Sequence, residues 1–384
     1  MTLKKYIFGG LLIILLASCS ASVPPFPTEM STTSATQKAP RAPTLVEPTS
    51  VILSQPIATS TPAPTEIMIT PVKQPDSRIS SQVINSDNSL QLQRWTELAL
   101  DEPARIVWSK DQSSFWLVQY TGFQILAFPD LSQLFSLNMQ PDEILVDVSP
   151  DGSTYAITYN NQGLILVNWR DQHIRSAHTE HAFMGGTFSP DGTKIMLPQI
   201  DAWTGMVVEA TSGEELTTIT GFETAAPIYN VRIGEDNRHA IWNARATIQL
   251  SDITNNTIGP ALYHSDFIMS NTLSPDGRFL AVSVYDMINE VMTPVVIFYD
   301  VDTGETLQKI PLDQGAYDLE FSPNSSMLAA ALNDQLVFID SENKQIIGNF
   351  LLNQSDINQI SFSPQGNILT TLSTNGSVVF WHIQ

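Results

Sequence analysis

The 384-residue sequence predicts an all-β fold: a β-propeller, a ring of seven four-stranded antiparallel blades, closed by an N-terminal strand and preceded by a disordered stalk. Three observations carry this expectation. One tight turn recurs along the chain, its copies keep a nearly constant spacing, and the last copy stops one strand short of a full set.

The first residues stand apart from that fold. Lys4 and Lys5 precede an apolar run of about 12 residues, Tyr6 to Ala17. This is shorter than the roughly 20 residues needed to span a bilayer and fits the hydrophobic part of an export signal. The run ends in Leu16-Ala17-Ser18-Cys19, which resembles the lipobox of bacterial lipoproteins and holds the only cysteine of the chain. That resemblance implies a signal peptide over 1–18 and a diacylglyceryl group on Cys19, which would anchor the protein to a membrane. An exported protein is therefore expected, held on the cell membrane or an outer membrane with its folded part outside the cytoplasm. With Cys19 so used, no disulfide is expected.

From Cys19 to residue 88 the composition changes. Eleven of the 24 prolines fall between Pro24 and Pro75, and Phe26 is the only aromatic from Ser20 to Ser80. Such a stretch buries too little apolar surface to offset its ordering entropy, so a disordered linker is expected. As a flexible coil it would reach roughly 45 Å, and in extended polyproline form about 200 Å.

Residues 89–384 carry the repeat. Its turns begin at Ser109, Ser149, Ser189, Gly234, Ser274, Ser322 and Ser363, in steps of 40, 40, 45, 40, 48 and 41 residues. The clearest copy is Phe188-Ser189-Pro190-Asp191-Gly192. Serine suits the first position of a type I turn, proline presets the second, and glycine takes the positive φ that closes a bulged hairpin. The copies at Ser109 and Gly234 are degenerate and are placed by spacing. Apolar strands flank each turn, as at Ile144 to Val148 and Tyr155 to Tyr159. A third follows, such as Leu164 to Trp169, Val295 to Tyr299 or Leu336 to Ile339. These runs are continuously apolar, the pattern of strands buried on both faces. A fourth, more polar strand, such as Glu305 to Ile310, follows a further turn at Asp302-Thr303-Gly304. Four such strands per period describe a propeller blade.

The ends complete the count. The seventh copy has strands at Ile357 to Phe362, Ile368 to Leu372 and Val378 to Trp381, and no fourth. An orphan strand, Leu90 to Leu98, precedes the first turn. Pairing the two would close the ring and remove an exposed sheet edge.

On these residues the chain from about Ser89 resembles a WD-repeat β-propeller of the bacterial kind rich in Phe-Ser-Pro-Asp-Gly turns. It departs from the eukaryotic pattern. No Trp-Asp pair ends a third strand, although Tyr299-Asp300 and Ile339-Asp340 come near, and only His178 or His181 stands where a Gly-His pair would fall. The sequence therefore leaves the family's internal hydrogen-bond network open, while the blade plan is expected.

Charge and motifs narrow the function. The formal net charge is −21, and −23 once the signal with Lys4 and Lys5 is removed. Such a chain repels phosphate backbones and anionic lipid surfaces, which argues against nucleic acid and against membrane contact beyond the anchor. No Gly-x-Ser-x-Gly elbow or phosphate-cradling glycine motif is present. His178-Thr179-Glu180-His181 lacks a third metal ligand, and Asp300 to Gly304 lacks most of a calcium loop and reads as a turn. No metal, cofactor or catalytic set is expected. The expected function is a monomeric, non-catalytic scaffold that binds another protein. The alternative is a propeller that binds a small ligand or acts on one, as a lactonase-like enzyme would, through polar groups on the axis.

Partner binding is expected on the face opposite the Ser-Pro-Asp-Gly turns, because departures from the 40-residue period fall there. The extra residues sit at Tyr285 to Met292, at Ile200 to Trp203 and in the connection Gly221 to Tyr229. Long loops with exposed aromatics and methionine on a rigid scaffold are where recognition tends to reside. The candidate contact residues are Trp203, Phe222, Tyr285 and Met287.

Overall fold

The structure, a computed structural model, describes residues 79–159, 162–171, 174–177, 183, 185–199, 204–222 and 227–384. Cys19, Trp203, His178 and His181 lie outside the described residues. Among the described residues the chain forms seven four-stranded antiparallel sheets. Blade 1 is built from Ala104–Trp108, Ser114–Gln119, Gly122–Ala127 and Gln133–Asn138, in that order. Blade 5 is built from Ile268–Leu273, Phe279–Ile288, Val291–Asp300 and Thr306–Pro311. In the same order, blade 2 begins at Glu143–Val148, blade 3 at Thr187–Phe188, blade 4 at Asn230–Ile233, blade 6 at Asp318–Phe321 and blade 7 at Ile357–Phe362. First strands touch the first strands of neighbouring blades, which places them innermost. Burial follows the apolar runs. Met327–Ala331, a second strand, is buried throughout, whereas the fourth strand Gln133–Asn138 is buried nowhere.

The recurrent turn has one geometry in all seven blades. Its fourth residue is left-handed at Gln112 (φ 58°), Gly152 (65°), Gly192 (72°), Asn237 (55°), Gly277 (74°), Ser325 (60°) and Gly366 (72°). The degenerate copies thus keep the conformation at a small strain cost that glycine avoids. In blade 2, Ser149 Oγ donates to Asp151 Oδ1 (2.6 Å) and accepts from the Thr154 N–H (2.9 Å). Asp151 Oδ1 also accepts from the Ser153 N–H (3.0 Å). The serine makes the same two bonds at Ser109, Ser189, Ser274 and Ser322, the last with Asn324 in place of aspartate.

Adjacent turns are also tied together. Lys110 N–H donates to Pro150 O (2.8 Å), Asp191 N–H to Asn237 Oδ1 (2.9 Å), Asp276 N–H to Ser325 Oγ (2.9 Å) and Gln365 N–H to Gln112 Oε1 (3.2 Å). The repeated turn therefore does two jobs: it reverses the chain and stitches blade to blade.

The apolar cores lie between blades. Phe279, Val296 and Phe298 of blade 5 pack with Leu319, Phe321 and Ile339 of blade 6. Each such side chain contributes about 1.5–3 kcal/mol on burial. Ring closure follows the expected plan. Leu92–Ala99 pairs antiparallel with Ser377–Ile383, from Leu92 opposite Ile383 to Ala99 opposite Ser377. A register shift after Arg94 leaves Trp95 outside the pairing. Trp95 is buried against Phe380, with ring centroids 5.9 Å apart and edge-on, in the core shared with Trp108 and Phe115 of blade 1.

The closing strand starts two residues later than the sequence pattern indicates, because Ser89–Gln91 form a 3-10 turn. Packed chain also begins ahead of Ser89. Ile84 is fully buried, and its N–H donates to Gly366 O (2.8 Å). Asn367 Nδ2 donates to Ser80 O (3.1 Å). The polar, proline-rich composition hid this apolar anchor.

Blade 7 answers a point that the sequence left open. An internal hydrogen-bond network is present there: Trp381 Nε1 donates to Thr371 Oγ1 (2.9 Å), and Thr371 Oγ1 donates to Gln354 Oε1 (2.6 Å). Gln354 Nε2 in turn reaches Ser377 O (3.0 Å). Neither a Gly-His nor a Trp-Asp pair marks this network, so a search for those dipeptides passes over it.

Candidate functional site

Antiparallel alternation places the Ser-Pro-Asp-Gly turns on one face and the second-to-third-strand and blade-to-blade connections on the other. The second face carries the largest departure from regularity. The residues Tyr285 to Met292, expected as a loop, instead extend two strands of blade 5 into a hairpin. Tyr285 pairs with Pro294, Asp286 with Thr293, Met287 with Met292 and Ile288 with Val291. The innermost strand reaches only as far as Ile268 opposite Val284, so these rungs project as a two-stranded ribbon of about 13 Å. Asn289 (φ 50°) and Glu290 (φ 65°) form the two-residue turn with both centres left-handed, the geometry that matches strand twist. The apolar residues Tyr285, Met287, Ile288, Val291 and Met292 flank Asn289-Glu290 as two short strands flank a turn, and spacing alone did not separate this from a loop.

Polar contacts brace the root of this ribbon. Lys309 Nζ pairs with Asp286 Oδ2 (2.5 Å), and Ser265 Oγ donates to Tyr285 O (3.1 Å). The Asp286 carboxyl is held below the usual carboxylate range, chiefly by Lys309. Gly315 lets Tyr285 close against the next connection. A Cβ there would come within 2.7 Å of Met269 Sδ and 3.3 Å of Tyr285 Oη. Tyr285 is half-buried, while Met287 (54%), Val291 (62%) and Met292 (47%) are exposed at the tip. Phe267 and Tyr317, in the connections flanking blade 5, are exposed on the same face. The Arg245 guanidinium sits 4.7 Å from the centre of the Phe267 ring.

Of the expected contact residues, Tyr285 and Met287 thus share the ribbon. Phe222 lies on the same face but is half-buried, with its ring 5.1 Å from Trp242 in the core between blades 3 and 4. Trp203 lies outside the described residues. Phe267, Val291, Met292 and Tyr317 were not singled out from the sequence. Phe267 and Tyr317 sit in connections of ordinary length, and only their position just ahead of an innermost strand marks them.

The axis is polar but heavily engaged. Asp147 Oδ2 accepts from Thr187 Oγ1 (3.0 Å) and from the Phe188 N–H (2.9 Å) of the next blade. Asp318 accepts from Ser270 Oγ (3.0 Å) and from the Ile360 N–H (3.0 Å). Glu320 accepts from the Phe362 N–H, and burial together with Asp318 pushes its carboxyl up to about 8. Among the described residues no three His, Cys, Asp or Glu side chains lie close enough to hold a metal ion.

On the turn face, a cleft of about 660 Å³ between blades 4 to 6 is lined by paired charges. Arg238 bridges Asp252 and Asp302, Arg278 bridges Asp276 and Glu342, and His239 lies between Asp236 and Asp302. The hydrogen bond that His239 donates to Asp236 holds the imidazole above its ordinary pKa. Arg238–Asp302, His239–Asp302 and Arg278–Glu342 strap neighbouring blades together, and Asp300 to Gly304 is a turn, in which Asp300 Oδ1 accepts from the Thr303 N–H (2.9 Å).

Comparison with known proteins agrees with this architecture. Residues 344–382 match the family described as "WD domain, G-beta repeat". The match runs from the outer strand of blade 6, Gln345–Leu351, through the three strands that the end of the chain gives to blade 7. That stretch contains Gln354, Thr371 and Trp381, the residues of the hydrogen-bond network described above. A stretch of 89 residues, 23% of the chain, is 30% identical to WD repeat-containing protein 90 of Xenopus tropicalis. It spans only 5% of that relative's length. Among solved structures, Kuenenia stuttgartiensis hydrazine synthase aligns over 73% of this chain and 95% of the compared chain. The TM-score is 0.60 at 14% identity, a likeness of fold alone.

Proposed function

We propose that this protein is a non-catalytic scaffold, lipid-anchored through Cys19, that binds another protein on the face bearing the blade 5 ribbon. The observation that carries this reading is the ribbon itself. A rigid ring holds out Met287, Val291 and Met292 beside Phe267 and Tyr317, all on one face. Exposed apolar side chains so grouped mark interaction surfaces, and methionine adapts to varied partners. The WD-type repeat supports the same reading, since propellers of this kind commonly mediate protein interactions.

A photo-reactive residue at Met287 tests the face. In intact cells it is expected to give one discrete crosslinked product, whereas the same probe at Asp151, on the turn face, gives none. Equal labelling from both positions, or none from Met287, would place the partner elsewhere. The anchor is tested separately by metabolic labelling with a fatty acid. Cys19→Ser is expected to lose the label and the processed form, and label persisting on that variant would sink the anchor.

A further inference from the structure

Charge is distributed unequally between the two faces of the ring. Around blades 5 to 7 the ribbon face is made by residues 264–267, 285–292, 312–317, 332–334, 352–356 and 374–376. They hold Asp266, Asp286, Glu290, Asp313, Asp334 and Asp356, and no lysine or arginine. Asp286 is paired with Lys309 of the outer strand; among the described residues the other five have no ion-pair partner. Glu290, Asp313, Asp334 and Asp356 are exposed. The turn face of blades 4 to 6 differs. There Arg238, Arg278 and Lys344 sit among the acids, and both arginines are paired.

Exposed rings gather on the ribbon face as well. Tyr120, Tyr263, Phe267 and Tyr317, exposed aromatic side chains, all lie in its connections or at strand ends that reach it. Carboxylates among aromatic rings make a surface that takes cations, since a guanidinium can stack on a ring and donate to a carboxylate. One such stack is already made within the chain, by Arg245 on Phe267 at 4.7 Å.

Other occupants meet a penalty here. A two-fold pairing of this face with a second copy would set its carboxylates against each other. Nucleic acid and anionic membranes would be repelled. A wholly apolar partner would strip water from the carboxylates without pairing them.

We propose, on the protein-binding reading of this face, that its partner is a basic protein segment. Arginine or lysine side chains of that segment would reach Asp313, Asp334 and Asp356, while an apolar side chain meets Met287, Val291 and Met292 at the ribbon tip. The test titrates the full-length chain with a fluorescent peptide of alternating arginine and leucine, and with its glutamate–leucine counterpart. Anisotropy should show saturable binding of the arginine peptide alone, weakening as salt rises. The combined variant Asp313→Asn, Asp334→Asn, Asp356→Asn should weaken it about tenfold, through three exposed ion pairs. Asparagine keeps the side-chain shape and tolerates the left-handed backbone of Asp356 (φ 57°). Glu214→Gln, Glu215→Gln and Glu305→Gln together, on the turn-face side, should leave binding unchanged, which separates this face from general attraction to an acidic protein. In intact cells the asparagine variant should also lose the crosslinked product of the Met287 probe. The basic partner is overturned if the arginine peptide does not bind, if the glutamate peptide binds equally, or if both sets of variants lose affinity alike. It is equally overturned if the Met287 product is a second copy of this chain or persists in the asparagine variant. A persisting product leaves the protein-binding reading standing, whereas no product from the parent protein removes both.

Discussion

Trp381 donates its indole N–H to Thr371 Oγ1 across 2.9 Å in the interior of blade 7. The bond runs between the second and third strands of the blade whose fourth strand comes from the other end of the chain. Thr371 passes it on to Gln354, and Gln354 reaches the backbone at Ser377, so one chain of bonds fixes three segments of the closing blade.

This network acts as a unit. Trp381→Phe or Thr371→Val each leaves buried polar atoms unpaired, at a cost of about 1–3 kcal/mol. The double variant is expected to cost much less than the sum of the two, because the second change removes the group the first one orphaned. Denaturant unfolding of the four proteins measures this coupling. Strict additivity would show that the bonds are independent.

Ring closure sets a larger effect. A chain starting at residue 79 keeps every contact described above, and its melting temperature should match that of the full chain. A chain starting at residue 100 loses Leu92–Ala99 with the buried Trp95 and Leu98. It should be less stable by several kcal/mol, from lost apolar burial and ladder bonds together. Equal melting temperatures would mean that the last blade stands without its fourth strand.

Much of this fold is legible in the sequence, for an identifiable reason. The Ser-Pro-Asp-Gly turn has residue-specific demands at each position, so its copies at Ser149, Ser189 and Ser274 can be read directly. Spacing then finds Ser109 and Gly234, where Gln112 and Asn237 tolerate the left-handed position that glycine fills elsewhere. The Trp381 network is less legible because neither a Gly-His nor a Trp-Asp pair marks it. Ile84 and Phe267 are harder still. Each is a single apolar residue in a polar stretch, and only tertiary contact shows that one is buried and the other exposed.

The ribbon gives a prediction about binding alone. Met287 and Val291 are exposed, so Met287→Asp and Val291→Asp remove no core contact, and surface changes of this kind stay within about 0.5 kcal/mol in stability. Against a captured partner they should weaken affinity at least tenfold, about 1.4 kcal/mol. Tyr285→Ala should weaken binding and also lower stability, because Tyr285 is half-buried at the ribbon's root. Unchanged affinity in both aspartate variants would exclude the tip from the interface.

The axis should make stability depend on pH. Glu320 lies on the innermost strand Asp318–Phe321, with Asp318, Arg232 and Glu235 as its charged neighbours. Burial and the Asp318 charge raise its pKa to about 8 in the folded protein, well above the ordinary carboxylate value that it regains on unfolding. Between those two values the folded state holds a proton that the unfolded state has released. Stability therefore falls as pH rises from the ordinary carboxylate value through about 8. For one proton the slope reaches about 1.4 kcal/mol per pH unit. Below that window both states are protonated and the stabilising difference is fully present; above it both are ionised and the difference is lost. Asp318, also raised by burial, adds in the same direction and stays in place when Glu320 is changed. Glu320→Gln keeps the side-chain shape and removes the titration. Denaturant unfolding between pH 5 and pH 9 should show the variant gaining on the parent as pH rises, with the gap nearly closed at the acid end. Parallel curves would mean that Glu320 ionises alike in both states and that water or Arg232 compensates its charge at the axis.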